Sequence, residues 1–264
     1  MYPILLTIGP LHFYSYGLCM AVALGLSIYL FARDAGTYIA PKVGLNFQQG
    51  FQKAFDLGVY VIICSLLGAR LFYVMENHAE FGNGNWLDAF KIWQGGLVFY
   101  GGLFGAIAVA FYWFRQEKWP VSYCFDLVAP YILLGHAIGR VGCFLNGCCY
   151  GNEDHTWGMV FPGAGDNIPH LPTQLWELAG DLALFFLLLW ARRWTIRYPW
   201  LTISLYGFTY GILRYVIEIW RLDRSVHFLM TFRSVSQAVS ALVVLVSTLA
   251  IIWIFFNTRK TKTN

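Results

Sequence analysis

Charge is what this sequence lacks most. Only 12% of its residues are Asp, Glu, Lys or Arg and 58% are hydrophobic, against about 25% charged and ~45–50% apolar in soluble domains. So few ionisable groups cannot cover a water-facing surface, which excludes an ordinary soluble globule and makes lipid the implied solvent. Six cysteines in 264 residues are too sparse for a disulfide scaffold, and Cys19, Cys64 and Cys124 lie in or beside apolar runs where a thiol packs as a small hydrophobe. No Lys or Arg precedes the first apolar run in Met1–Phe13, so the charged n-region of a cleavable signal is missing and the first span is expected to stay. Low-complexity linkers and internal repeats are absent too. The net charge of +4 sits in short loops rather than on a basic face interleaved with aromatics, and is read as topology, with no nucleic-acid partner.

What is present is a series of apolar stretches near the ~20 residues that cross a bilayer. They run at about 14–32, 55–75, 97–114, 122–145, 175–191, 201–220 and 237–256. The expected fold is all-α: a polytopic membrane protein of seven transmembrane helices in a single domain, 1–264. With the N-terminus outside and the C-terminus cytoplasmic, eleven Lys and Arg fall in cytoplasmic segments and four (Lys91, Arg221, Arg224, Arg233) in outer loops, as the retention of basic loops requires. Segments 82–96 and 146–173 are the longest outer excursions.

Three arginines, Arg70, Arg140 and Arg214, remain at membrane depth, where each costs at least ~2.5–3.5 kcal/mol and needs a partner or a task. Tyr206, Tyr210, Arg214 and Glu218 recur every fourth residue and share one helix face, with Arg221 close to its outer end. Asp126, His136 and Arg140 fall within about 80° of one another on the preceding polar helix, spread over ~21 Å of its axis. Gln174, Glu177 and Asp181 follow at helical spacing, so carboxylates are at hand to pair with arginines. Asp126, His136 and Asp181 read equally well as structural ion pairs.

Around Arg140 runs Gly139-Arg140-Val141-Gly142-Cys143-Phe144-Leu145-Asn146-Gly147-Cys148-Cys149-Tyr150-Gly151. Its glycines permit close backbone approach where a helix leaves the membrane, and the guanidinium is a fork suited to phosphate. A second cluster, Gly95-Gly96-Leu97-Val98-Phe99-Tyr100-Gly101-Gly102-Leu103, opens another helix whose N-terminal dipole favours anions. Together with Pro172–Glu177, Leu67–Arg70 and Tyr210–Glu218, these segments resemble the prolipoprotein diacylglyceryl transferase family, in that family's order. With Tyr16-Gly17 the resemblance covers essentially the whole chain.

The resemblance implies an enzyme of the bacterial cytoplasmic membrane whose reaction calls for no metal or organic cofactor. It would move the diacylglyceryl group of phosphatidylglycerol to the lipobox cysteine of a prolipoprotein signal peptide, forming a thioether and releasing glycerol phosphate. Position by position it makes Arg140 and Arg214, with Tyr100, the catalytic candidates. Tyr16, Arg70, Gly101, Gly102, Asn146, Gly151, Glu177, Tyr210 and Glu218 become candidates for binding lipid or substrate. Three departures stand out: Tyr100-Gly101-Gly102 replaces a frequent His-Gly-Gly, Cys143 and Cys148 replace Asn and Glu, and His170-Leu171-Pro172 replaces a His-Pro. A phenol, with a usual pKa near ~10, is a weaker base at neutral pH than an imidazole.

Cys143, Cys148 and Cys149 read as structural thiols or an outer disulfide before they read as metal ligands, because the spacing matches no paired Cys/His motif. No metal site is expected. His12, His78, His155, His170 and His227 read as solvated or interfacial. Two other function classes stay open: a relative with an altered acceptor or a lipid-binding role, and a transporter using the Asp126, His136 and Arg140 face as a polar path.

Overall fold

The computed structural model describes residues 1–9, 11–81, 86–91, 95–165, 167–221 and 234–263. His227, Arg224 and Arg233 lie outside these. Among the described residues there are seven long α-helices: α1 (Ser15–Tyr38), α2 (Phe47–Glu76), α4 (Phe99–Gln116), α5 (Val121–Asn146), α6 (Thr173–Thr195), α7 (Leu201–Ile217) and α8 (Val235–Thr263). A single turn, α3 (His78–Phe81), follows α2. Each expected span coincides with one long helix. Five of them, α1, α2, α5, α6 and α8, are long and apolar enough to cross a membrane. At 17 residues α7 ends early because its last turn tightens into a 3-10 turn at Glu218–Trp220.

The helices carry apolar side chains outward and polar ones inward. On α8, Leu242, Leu245, Val246, Leu249, Trp253 and Phe256 are all exposed, whereas Gln237, Ser240 and Ser247 are buried. An apolar stripe at i, i+3, i+4, i+7 facing away from the protein matches a lipid surround.

The chain divides into two compact units, Phe31–Cys124 and a second made of Met1–Leu30 with Phe125–Asn264. In the first, α2 packs along α4 with almost no side chain between them. A Cβ added at Gly68 would meet the Gly101 carbonyl oxygen at 2.4 Å, one at Gly101 would meet the Gly68 oxygen at 2.3 Å, and one at Gly105 would meet the Cys64 oxygen at 2.3 Å. The start of α2, which lies beyond the apolar window, is set by a capping box: Asn46 Oδ1 accepts from Gln49 N–H, and Gln49 Oε1 accepts from Asn46 N–H.

In the second unit, a small antiparallel hairpin of β1 (Ile4–Ile8) and β2 (Leu11–Tyr14) precedes α1. The segment after α5 forms another two-stranded ladder, β3 (Met159–Val160) with β4 (Pro169–His170). Helix α7 begins on a left-handed Trp200 with no cap of its own; the buried Asp126 carboxylate of α5 supplies one, accepting from Trp200 N–H at 2.7 Å and Ile203 N–H at 2.8 Å. Asp126 is therefore tied to a helix end rather than to a polar path.

Candidate functional site

Arginines and carboxylates meet where α5 ends, α6 begins and α7 ends. The loop after α5 is stitched to the start of α6: Gln174 Nε2 donates to the Cys148 carbonyl at 2.7 Å and Thr173 Oγ1 to that of Cys149 at 3.1 Å. One turn further along α6, Glu177 is 2% exposed and lies between two guanidinium groups. Arg140 Nη2 donates to its Oε1 at 2.7 Å, and Arg214 Nη1 reaches both oxygens, at 3.3 and 3.1 Å. Arg214 continues to Glu218 through Nη2 at 2.9 Å and to Ser236 Oγ through Nε at 3.0 Å. Glu218 also accepts from Ser234 Oγ at 2.8 Å and faces Arg221 Nε at 3.8 Å.

Among the described residues, three guanidinium groups and two carboxylates make up this network. Arg140 is the member with donors to spare. Among the described residues its bonds are the one to Glu177 and a long one from Nη1 to Cys143 Sγ, 3.9 Å. This is an arginine oriented by a buried acid with N–H groups left unused, and a planar guanidinium can donate such groups in pairs to the oxygens of an anion.

Other expected residues gather here. The Tyr206 and Tyr210 rings stack 5.6 Å apart on the α7 stripe, and His136 lies against Tyr210 at 4.9 Å. Tyr16 is exposed and packs on Gly142, where an added Cβ would come within 3.2 Å of its ring. Asn146 closes α5, exposed. Gly151 is held by geometry: a Cβ there would meet the Trp220 carbonyl oxygen at 2.6 Å. Asp181, one turn beyond Glu177, is fully buried and neither of its oxygens has a hydrogen-bond partner among the described residues.

Arg70, Tyr100, Gly101 and Gly102 belong to the first unit. All the bonds that Arg70 makes go to backbone carbonyls: Nε to Ala89 at 2.8 Å, Nη1 to Gly95 and Gly96 at 2.7 and 3.1 Å, and Nη2 to Asp88 at 2.6 Å. It clamps the turn that leads into α4, where Gly95 and Gly96 take left-handed φ values of 86° and 73°. Tyr100 is half-buried beside the Phe99 ring, and its hydroxyl has no hydrogen-bond partner among the described residues.

His170 departs from expectation. It is 4% exposed, with Nδ1 3.2 Å from the Gly151 carbonyl and its ring 4.7 Å from Tyr150. Sequence reading also missed Ser234 and Ser236, since a serine at the head of an apolar helix carries no signal of its own. It missed the meeting of the three cysteines as well: Cys143, Cys148 and Cys149 bring their sulfurs within 4.8 Å of one another. Hydrogen bonding to Cys143, then to Cys148, with Arg221 and Arg140 adding positive charge, pulls the Cys149 thiol down against the effect of burial. Burial pushes the Cys148 thiol up.

Comparison with known proteins places this geometry. The profile of the family described as prolipoprotein diacylglyceryl transferase matches residues 3–253. The chain is 34% identical over 220 residues to the phosphatidylglycerol–prolipoprotein diacylglyceryl transferase of Bordetella parapertussis, covering 83% of this chain and 82% of the relative. It is 35% identical over 224 residues to the protein of the same name from Coxiella burnetii, with 83% and 81% covered, and 33% identical over 220 residues to that of Oleidesulfovibrio alaskensis, with 83% and 79% covered. The chain belongs to the prolipoprotein diacylglyceryl transferase family.

Proposed function

We propose that this membrane-embedded enzyme transfers the diacylglyceryl group of phosphatidylglycerol to the lipobox cysteine of a prolipoprotein. The substrate sulfur forms a bond to the glyceryl carbon that carries the phosphate, the carbon–oxygen bond to that phosphate breaks, and glycerol phosphate leaves with the electron pair. The thiol proton is taken by Tyr100 or directly by a phosphate oxygen of the donor, and ends on the phosphate that leaves. Tyr100, which stands where many relatives have a motif histidine, is the proposed relay, on the strength of the sequence motif alone.

The observation that carries the reading is the Arg140–Glu177–Arg214 arrangement. Leaving-group charge must be stabilised where water is scarce, and preorganised guanidinium groups do so without reorganisation. Glu177 holds both arginines in place before substrate arrives, and the uncommitted N–H groups of Arg140 are suited to the phosphate. Glu218 holds Arg214 from the other side. Tyr16, Tyr210 and Asn146 are proposed to line the lipid near Arg140. For Arg70, Gly101, Gly102 and Gly151 the contacts favour a supporting role: they shape the backbone that carries the reacting groups.

Seven spans with the N-terminus outside, in a bacterial cytoplasmic membrane, remain the proposed topology, supported by the eleven-to-four bias of basic residues. The single-domain reading is supported by one family profile running through both compact units. Reporter fusions at Lys42 and Arg193 should behave as cytoplasmic and one at His155 as external; a cytoplasmic His155 would overturn the orientation.

The deciding experiment incubates the purified protein with phosphatidylglycerol and a synthetic lipobox peptide and follows the peptide by mass spectrometry. A diacylglyceryl mass increment on the cysteine, with release of glycerol phosphate, is the expected result. An unmodified peptide, or lipid consumed without it, would point to another acceptor.

A further inference from the structure

The three thiols at the end of α5 have no place in the transfer chemistry, and their arrangement points elsewhere. Cys143 lies in the last turn of α5, buried, and Cys148 and Cys149 follow the helix end half-buried. Neighbouring residues in extended chain point to opposite sides. Here Cys149 takes a left-handed φ of 66°, a conformation unusual for a residue with a side chain, and the Cys148 and Cys149 sulfurs end 3.5 Å apart. The carbonyls of these two residues are pinned by Gln174 and Thr173, so the turn is fixed from outside.

We infer that Cys143, Cys148 and Cys149 form a three-thiolate site for a single thiophilic d10 cation, of the zinc and cadmium type. With metal–sulfur bonds of about 2.3 Å, three ligands of one ion lie roughly 3.8–4.0 Å from each other. The sulfurs here, all within 4.8 Å with one pair at 3.5 Å, need to move by less than about 1 Å to reach that spacing. Soft sulfur donors select soft ions over hard ones. Three thiolates around a divalent ion carry one net negative charge, and Arg140, whose Nη1 is 3.9 Å from Cys143 Sγ, stands beside them to offset it. Gln174, whose Nε2 holds the Cys148 carbonyl, has a buried Oε1 with no hydrogen-bond partner among the described residues, an acceptor for a water completing the ion's coordination. Coordination displaces the remaining thiol protons, so binding should weaken as pH falls.

The test is a titration of the full-length protein in detergent with cadmium alone, under a phosphine reductant that does not itself bind as a thiol. The site predicts one cadmium per chain, an ultraviolet thiolate-to-metal band, and protection of Cys143, Cys148 and Cys149 from alkylation while Cys64 reacts unchanged, as mapped by peptide mass spectrometry. Cys149→Ser should weaken binding by roughly 10²-fold or more, because even outer partners of a metal are worth 10–100-fold, and Cys64→Ser should leave it intact. The protection map uses the unaltered protein, so a misfolded variant does not blunt the test. Absence of the band, unchanged alkylation of the three thiols, equal binding by Cys149→Ser, or a disulfide among them that survives the phosphine would overturn the site. None of these readouts needs turnover, so they stand apart from the transferase assay.

Discussion

Arg140 and Arg70 are both motif arginines near the ends of long apolar helices, yet their surroundings differ in kind. Arg140 leans on one buried acid, which it shares with Arg214, and keeps donors unused among the described residues. Arg70 makes four hydrogen bonds among the described residues, all to carbonyl oxygens, those of Asp88, Ala89, Gly95 and Gly96. The glycines near them divide in the same way. Gly142 gives room for Tyr16, whereas Gly68, Gly101 and Gly105 let two helix backbones touch. The same residue types therefore leave an arginine with open donors in one region and build a rigid frame in the other. Both guanidinium groups stay charged; what separates them is how many of their N–H donors neighbouring oxygens engage.

Tyr100 is the residue most able to break that comparison, because it belongs to the frame and is assigned chemistry. Tyr100→Phe removes one oxygen and leaves the ring in place, so turnover should fall by roughly 10²–10⁴, as for a lost acid–base group, with folding unchanged. The measurement is the rate of peptide modification, alongside a thermal melt in detergent. Tyr100→His should sustain or raise activity. Near-normal turnover in Tyr100→Phe would leave the α2–α4 unit as frame alone and shift the proton to the donor phosphate or to Glu218.

The Arg140 side is sharpened by Glu177→Ala. Removing the acid shared by Arg140 and Arg214 leaves two largely buried cations facing each other, a change of the kind that costs about 3–5 kcal/mol. The melting temperature in detergent should drop accordingly, and activity with it. A melt equal to that of the unaltered protein would mean that the arginines do not depend on this carboxylate.

Arg140→Lys asks whether the fork matters beyond its charge. An ammonium keeps the charge but cannot meet Glu177 and a phosphate oxygen in one plane, so turnover should fall by about 10²–10³, the range seen for one lost preorganised donor. Arg140→Gln should be at least as damaging. Normal transfer by Arg140→Gln at normal protein levels would remove the phosphate-binding assignment.

The long helices were legible in the sequence because hydropathy reports what lipid demands, and the polar stripe on α7 because a four-residue repeat survives as one face. Tyr206 stacks on Tyr210 and Arg214 pairs with Glu218, as that spacing implies. What the sequence hid depends on distant chain. Nothing local says that Asp126 would cap a helix 74 positions on, that Glu177 would be shared by Arg140 and Arg214, or that a left-handed Cys149 would turn three thiols together. The first eight residues of α2 escaped for another reason: they are amphipathic and capped rather than apolar, so a span-finding window passes over them.

The smallest expected effect concerns Gly101 and Gly102, adjacent in one motif but set against different neighbours. A methyl group at Gly101 would lie 2.3 Å from the Gly68 carbonyl oxygen and 2.7 Å from Phe72 Cβ. A backbone oxygen cannot turn aside, so α2 and α4 must separate. Gly101→Ala should cost about 1–3 kcal/mol, the range for overpacking a tight contact. At Gly102 the nearest atoms are Ser65 Oγ at 3.0 Å, which can rotate, and the Ser65 carbonyl oxygen at 3.2 Å, which asks for a shift of only a few tenths of an ångström, so Gly102→Ala should cost less than Gly101→Ala. Thermal melts of the two variants in the same detergent give the comparison. If both glycines serve only to let the helices touch, turnover per folded molecule stays near normal in both. A Gly102→Ala protein that melts normally but turns over slowly would instead assign that glycine to the lipid, and would move the boundary between site and frame into α4.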